Sequence, residues 1–319
     1  MTEPEKGAAM VTQPTMISRR RFITLSAGGL ASAGIARYTP VQAHHATAST
    51  EICSFRVMGR TGIKVSPIGL GAPRIQEPSI LNMALERGIN FIDTGRSYAN
   101  GQNEIMVGNV VQGMRDKVVI QSKIKLRIRK DGEDFLKAGA AGRITQQCEI
   151  SLTESLKALN TDYIDIMLLH GIQSPDMLRL EPVMNFFEKA RTSGKIRACG
   201  FSAHLNMASL IRSAIRLNVY DVAMIAFNHQ GAYVHALGGY RYEWDQDDLI
   251  LALKEAVNSS MGIVAMKTCS GGPRPHPDGG PSTYENALQW IVDKNYVHTS
   301  AVAMANADQV EENLKCLSG

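Results

Sequence analysis

The chain has 319 residues, of which 44% are hydrophobic and 20% are charged, so it can bury a large core. This length fits one large domain with a short appendage. The formal net charge is only +4, and five basic residues lie within the first 40 positions. The remainder is therefore close to neutral, which gives no support to nucleic-acid binding.

The cysteines lie far apart and form no Cys-x-x-Cys pair; they are Cys53, Cys148, Cys199, Cys269 and Cys316. Zinc sites and iron-sulfur clusters need closely spaced ligands. The spacing therefore predicts no metal and no iron-sulfur cluster, and it favours buried or free thiols.

The N-terminal segment has the layout of an export signal. Residues 18–24 read SRRRFIT, and the small apolar run LSAGGLASAGIA follows them. The run is shorter than the ~20 residues that cross a bilayer. Its Ser-Arg-Arg-x-Phe core resembles the twin-arginine (Tat) signal, which implies the Tat export machinery and a periplasmic or extracytoplasmic location. We predict cleavage after Ala43, with no stable membrane span afterwards; an ordinary secretory signal or an uncleaved anchor is the alternative.

We interpret residues 1–43 as the signal peptide, 44–57 as a linker and 58–319 as the folded domain. Beyond residue 60, short runs rich in Val and Ile alternate with segments of helical period, the pattern of βα units around a parallel sheet. The eight runs are Pro67–Gly71, Ile89–Thr94, Val118–Lys123, Tyr163–His170, Ile196–Ala203, Val222–Asn228, Gly262–Thr268 and Thr299–Ala305.

Two segments between these runs show a clear helical face. Apolar residues three or four apart predict helices over Arg143–Asn160 and Asp247–Ser259. No GxGxxG turn follows the first strand, so eight units favour a closed (β/α)8 TIM barrel, as a single domain, over an open doubly wound sheet.

Four polar residues are placed where the active site of such a barrel forms, at the C-terminal ends of the strands. Asp93, Lys123 and His170 end the second, third and fourth runs, and Tyr98 lies in the loop after Asp93. An ammonium favours the phenolate of a nearby tyrosine and lowers its pKa, so Tyr98 beside Lys123 can donate a proton to a carbonyl oxygen. Asp93 is the obvious charge partner for Lys123, and His170 can orient the carbonyl.

Several stretches resemble aldo-keto reductases in order and spacing. They are MGRTGIKVSPIGLG (58–71), RGINFIDTGRSYANGQNEIMVGNVV (87–111), VVIQSK (118–123), LNTDYIDIMLLH (159–170), GKIRACGFSAH (194–204) and DQVEENL (308–314). The resemblance implies catalytic roles for Asp93, Tyr98, Lys123 and His170, with Tyr98 as general acid. The stretch VAMKTCSGG (264–272) resembles the sequences of bacterial subgroups of this family that carry a Tat signal.

The resemblance also implies a nicotinamide dinucleotide, NADPH or NADH, as cofactor. The implied cofactor contacts are Gly71, Ser202, Met224, Met266, Lys267, Gly271, Gln309, Glu312 and Asn313. Where family members hold the 2′-phosphate of NADPH with cations, this chain has Ala303, Met304 and Gln309, so use of NADH becomes an alternative. Ala203 and Met224 replace the usual carboxamide contacts, for which His204 or Asn228 are candidate substitutes.

We therefore expect an NAD(P)-dependent oxidoreductase that reduces an aldehyde or ketone, or oxidises the matching alcohol. The alternative is a non-turnover dinucleotide-binding or redox-sensing protein on the same scaffold, favoured by the altered cofactor positions and by the predicted export. Family members generally continue beyond the point where this chain stops at Gly319. We therefore expect either a minimal barrel or a truncated C-terminus.

Overall fold

The computed structural model describes residues 54–127, 140–235 and 239–317. The predicted signal peptide, its cleavage point at Ala43, the linker residues 44–53 and the final two residues lie outside them. None of the helices described there is both long and apolar enough to cross a membrane.

Twelve strands are present in the described residues. They are β1 (Arg56–Val57), β2 (Lys64–Val65), β3 (Ile68–Gly71), β4 (Phe91–Asp93), β5 (Val119–Ile124), β6 (Ile164–Leu169), β7 (Ile196–Ala203), β8 (Val222–Ala226), β9 (Ala232–Val234), β10 (Arg241–Glu243), β11 (Gly262–Met266) and β12 (Thr299–Val302). Eight of them close into a parallel barrel in the order β3-β4-β5-β6-β7-β8-β11-β12, and β12 pairs back onto β3. The predicted eight-stranded barrel is confirmed, and each predicted run overlaps one barrel strand.

Nine α-helices are found in the same ranges. They are α1 (Pro78–Glu86), α2 (Gln102–Val110), α3 (Ala140–Leu159), α4 (Pro175–Leu178), α5 (Glu181–Thr192), α6 (Met207–Leu217), α7 (Gln246–Asn258), α8 (Tyr284–Val292) and α9 (Ala307–Leu314). The two helices predicted from their apolar faces correspond to α3 and α7. In α3 the buried side chains Ile144, Cys148 and Leu152 follow the predicted spacing.

The hydrophobic residues form two cores. The larger core lies between the strands and the helices. The smaller core fills the barrel interior, where Phe91, Ile166 and Val264 pack together with Met58 and Ile63 from the β1–β2 hairpin. Layers of side chains that fill the space enclosed by the strands are usual for this architecture. The hairpin therefore plugs one end of the barrel, and the other end is left for polar groups.

The fold begins before Met58, the predicted start of the barrel domain. Arg56 in β1 donates hydrogen bonds to the carbonyl oxygens of Val292 and Val297. β1 also pairs with β2 in antiparallel fashion. The last residues of the predicted linker are thus part of the folded domain, because their backbone and one guanidinium have fixed partners.

Candidate active site

The four residues singled out from the sequence come together at the C-terminal end of the barrel. Asp93 is the last residue of β4, Lys123 lies near the end of β5, and His170 directly follows β6. Tyr98 begins a tight turn in which Ala99 and Asn100 adopt left-handed backbone angles, with φ of 46° and 52°. This turn holds the phenol of Tyr98 beside the strand ends.

Asp93 and Lys123 form a buried ion pair. Lys123 Nζ lies 2.5 Å from Asp93 Oδ1 and donates a second hydrogen bond of 2.8 Å to the carbonyl oxygen of Thr94. Gln121 Nε2 donates to the same carboxylate oxygen at 2.7 Å. Burial alone would lower the pKa of Lys123, but the charges of Asp93 and Tyr98 raise it above its ordinary value. The amine therefore stays an ammonium ion at neutral pH.

The Tyr98 ring lies next to this ammonium, with its centroid 4.7 Å from Lys123 Nζ. Burial raises the pKa of Tyr98, and the charge of Lys123, which lowers it, offsets this only in part. The expectation that Lys123 would make the phenol a stronger acid omitted the cost of burying a phenolate. In this pocket Tyr98 keeps its proton at neutral pH, which leaves the proton available to an acceptor.

His170 completes the cluster. Its ring meets the Tyr98 ring edge to face at a centroid distance of 5.8 Å, and its Nδ1 lies 3.2 Å from the hydroxyl of Ser97. Burial, together with the charges of Lys123 and Lys125, lowers the pKa of His170 to about 3. The imidazole is therefore neutral at any ordinary pH and can act as a hydrogen-bond donor through one ring nitrogen.

A cavity of about 510 Å³ opens beside Asp93 and Tyr98. This volume lies in the ~300–1,000 Å³ range of small-molecule and cofactor pockets. Among the residues predicted to bind a cofactor, those that line it are Gly71, Met224, Met266, Lys267, Gln309, Glu312 and Asn313. The cavity thus extends from Asp93 and Tyr98 to side chains of α9.

Two predicted cofactor residues do not line this cavity. The Ser202 side chain is buried, and its hydroxyl lies 3.0 Å from the amide nitrogen of Gly171 and 3.4 Å from the carbonyl oxygen of Leu169. A Cβ built on Gly271 would come within 2.8 Å of Asn228, so that glycine allows close packing against a side chain. Both residues have local structural roles in the described fold.

Asn228 and His204 are the candidate substitutes for carboxamide contacts. They differ in how many of their polar side-chain atoms already have hydrogen-bond partners. Asn228 Nδ2 donates to the carbonyl oxygens of Ala232 and Lys267, and its Oδ1 accepts from the Gln230 amide. Its amide group is therefore used within the loop. Within the described ranges, His204 has one side-chain partner, the hydroxyl of Tyr233 at 3.1 Å from Nδ1.

The sequence reasoning missed Arg74, which follows β3 and lines the same cavity as Lys267. Lys267 has a left-handed backbone with φ of 61°, and burial together with the charge of Arg74 lowers its pKa. Thr268 and Ser270 also line the cavity. No motif marked Arg74, because only closure of the barrel brings the end of β3 near the end of β11.

The positions expected to contact a 2′-phosphate carry no cation. Ala303 lines the cavity, whereas Met304 is fully buried and packs in the core. Gln309 lines the cavity too, and its Oε1 accepts a hydrogen bond from the Ala305 amide. Asn306 caps α9 by accepting from the Gln309 amide.

The polar residues that line the cavity suit a dinucleotide better than a metal ion. Arg74, Lys267, Thr268, Ser270 and polar side chains of α9 line one cavity, and they offer the cations and hydrogen-bond donors that phosphate and ribose groups bind. Over the described residues, no three His, Cys, Asp or Glu side chains are grouped as metal ligands.

Comparisons with known proteins point in the same direction. The model of the aldo/keto reductase family matches residues 72–272. YqkF, an uncharacterized oxidoreductase of Bacillus subtilis, is 31% identical over 153 residues, covering 46% of this chain and 48% of the relative. The aldo-keto reductase YhdN of the same organism is 36% identical over 156 residues, covering 44% of each chain. These matches span about half the length of the two relatives.

Longer matches are more distant. L-galactose dehydrogenase of Arabidopsis thaliana is 25% identical over 300 residues, covering 82% of this chain and 88% of the relative. The holo form of aldo-keto reductase AKR11C1 from Bacillus halodurans has a TM-score of 0.64 at 21% identity, covering 83% of this chain and 91% of the other. An aldo/keto reductase from Klebsiella pneumoniae, solved with NADP and acetate, has a TM-score of 0.60 at 22% identity, covering 83% and 90%. The family match extends over more than half of the chain, and the chain belongs to the aldo/keto reductase family.

Proposed function

We propose that this protein is an NAD(P)-dependent oxidoreductase that reduces an aldehyde or ketone, or oxidises the matching alcohol. The observation that carries the proposal is a neutral tyrosine beside a buried ion pair, open to a cavity of about 510 Å³. A bound nicotinamide dinucleotide would supply or accept the hydride, which no side chain of the cluster can do.

Each residue of the cluster has a distinct role in this proposal. Tyr98 donates its proton to the carbonyl oxygen as general acid, and in the reverse direction its phenolate accepts the alcohol proton. Lys123 stabilises the phenolate left after proton transfer, and Asp93 keeps Lys123 charged and in place. His170 is neutral and donates a hydrogen bond that orients the carbonyl.

Arg74 and Lys267 are suited to the phosphate groups of the dinucleotide, since both line the cavity and neither forms an ion pair in the described residues. Structural neighbours from Klebsiella pneumoniae are complexes with NADP or NADPH. Because Ala303, Met304 and Gln309 supply no cation, we propose that NADH is accepted alongside NADPH. Relatives named as a methylglyoxal reductase and an L-galactose dehydrogenase support carbonyl or alcohol substrates.

The test is the nicotinamide absorbance of purified protein with NADH or NADPH and a panel of aldehydes and ketones. Replacing Tyr98 by Phe should lower kcat at least ~100-fold, the lower end of general-acid contributions. Dinucleotide affinity should stay within about twofold. Tight dinucleotide binding without turnover of any carbonyl, unchanged in Tyr98→Phe, would favour the binding or sensing alternative instead.

We further propose that residues 1–43 direct Tat export and are cleaved after Ala43, which leaves the enzyme in the periplasm. Support comes from the Ser-Arg-Arg-x-Phe core and the short apolar run that follows it. Replacing Arg19 and Arg20 by Lys should retain the uncleaved precursor in the cytoplasm. Unchanged export and cleavage of that variant would refute the Tat route.

A further inference from the structure

We propose that His204 is a specificity-determining residue that donates a hydrogen bond to a second oxygen of the substrate, located near the carbonyl group that His170 orients. The substrate class is then a hydroxyaldehyde or hydroxyketone, or a compound with a second carbonyl. This inference rests on the proposed function and names the substrate class of that same site.

β6 and β7 are parallel neighbours in the barrel, with Leu169 opposite Phe201. His170 follows the end of β6 and His204 follows the end of β7, so both imidazoles leave the barrel at the same edge. His204 also lies close enough to Lys123 and Lys267 for their charges to act on its pKa. The two histidines therefore lie beside each other at the edge of the barrel that carries Asp93 and Lys123.

Burial, followed by the charges of Lys267, His235 and Lys123, lowers the pKa of His204 to about 4. A neutral imidazole has one N–H donor and one acceptor nitrogen. At neutral pH His204 can thus recognise an uncharged oxygen, while it lacks the positive charge that would favour a carboxylate.

The hydroxyl of Tyr233 lies 3.1 Å from His204 Nδ1, and burial raises the pKa of Tyr233 to about 12. Tyr233 therefore keeps its proton, and when it donates this proton to Nδ1, the imidazole proton of His204 is on Nε2. The hydroxyl of Ser97 can likewise donate to His170 Nδ1, and the proton of that imidazole is then on Nε2. Among the described residues neither Nε2 has a hydrogen-bond partner, so each ring presents one unused donor.

Tyr233 belongs to the β9–β10 hairpin and is stacked on Tyr242 with centroids 5.1 Å apart. Its ring also lies 5.6 Å from Lys267 Nζ, at the wall of the cofactor cavity. The hairpin thus fixes the Tyr233 hydroxyl, and through it the orientation of His204. A donor fixed in advance discriminates strongly against a ligand that leaves it unpaired.

The test compares kcat/KM for three aldehydes of the same chain length: propanal, lactaldehyde and glyceraldehyde, which carry no, one and two hydroxyl groups. We expect the unmodified enzyme to prefer one of the hydroxylated aldehydes over propanal by roughly tenfold or more. His204→Leu should reduce this preference to within about twofold by slowing only the hydroxylated aldehydes. His204→Gln, which keeps an N–H donor, should restore most of it. Hydration of each aldehyde in water is the same for every variant and cancels in the comparison.

Two further variants separate recognition from general damage. Tyr233→Phe should raise KM for the hydroxylated aldehyde severalfold and leave propanal unchanged, because His204 loses its anchor. His298→Gln is the matched control: this imidazole also has its pKa lowered to about 4, but it accepts from the Ile263 amide at the opposite end of the barrel. It should not alter the preference.

The outcomes are distinct. No preference for a hydroxylated aldehyde in the unmodified enzyme, or a preference that persists in His204→Leu, overturns the role of His204 and leaves the proposed function standing. Failure to turn over any carbonyl overturns both proposals. Equal slowing of all three aldehydes in His204→Leu would identify His204 as a structural residue and also overturn the inference.

Discussion

The buried ion pair between Asp93 and Lys123 gives a sharp prediction for stability, independent of any cofactor. Lys123 is only 1% exposed and Asp93 only 3% exposed. Replacing Asp93 by Leu leaves the ammonium without its carboxylate, and replacing Lys123 by Met leaves the carboxylate with Gln121 as its only donor among the residues that the structure describes. Each single change should lower the free energy of unfolding by ~3–5 kcal/mol, the usual cost of an uncompensated buried charge.

The double variant should be far more stable than the two single losses imply. With both charges removed, the main remaining losses are the hydrogen bonds from Gln121 Nε2 to Asp93 and from Lys123 Nζ to the Thr94 carbonyl oxygen, each worth about 1 kcal/mol. Simple addition of the two single effects would predict a loss of roughly 6–10 kcal/mol. Denaturant unfolding of the unmodified protein, both single variants and the double variant measures this coupling directly. A double variant whose loss equals the sum would refute the pairing.

Three further predictions address pH, packing and the cofactor. Burial of His298 lowers its pKa to about 4 from 6.5, so its contribution to stability is full above pH 6.5 and is lost as the pH falls toward 4. In urea titrations, His298→Gln should therefore reduce the slope of the unfolding free energy against pH in this range by up to ~1.4 kcal/mol per pH unit. Gly200→Ala would place a Cβ 2.0 Å from the Val222 carbonyl oxygen. Calorimetry should therefore show a decrease in the free energy of unfolding of ~1–3 kcal/mol or more. Unchanged stability would contradict the close approach of β7 and β8. Lys267→Met should weaken dinucleotide binding roughly tenfold in calorimetric titration, with Lys64→Met, on the β1–β2 hairpin at the plugged end, as a silent control.

The strand positions could be predicted because strands buried on both faces leave unbroken apolar runs in the sequence. IDIMLL, directly before His170, is such a run and forms all of β6. The same alternation of apolar runs and helical segments predicts Asp93 and Lys123 at strand ends. In a closed parallel barrel these strand ends lie at the same edge. Their distances and the second donor to the carboxylate, Gln121, required the folded chain.

Other properties depend on three-dimensional surroundings that spacing does not encode. The net effect on the pKa of Tyr98 is set by burial, which the sequence does not give. Arg74 and Lys267 lie almost two hundred positions apart and share a cavity only because β12 and β3 close the barrel. Tyr233 lies in a short hairpin outside the repeating units, so the barrel pattern offered no reason to place it near His204.

The β9–β10 hairpin pairs only with itself in the described sheets, whereas each barrel strand has two strand neighbours. An exchange of this hairpin for another loop would therefore break no barrel pairing and would leave Asp93, Tyr98, Lys123 and His170 on their own supports. Ala232 and Tyr233 are buried, whereas Val234 and Tyr240 are exposed, so substitutions at the exposed positions cost little folding energy. If the proposed function holds, a library at these exposed positions would vary substrate recognition while Asp93, Tyr98, Lys123 and His170 stay constant.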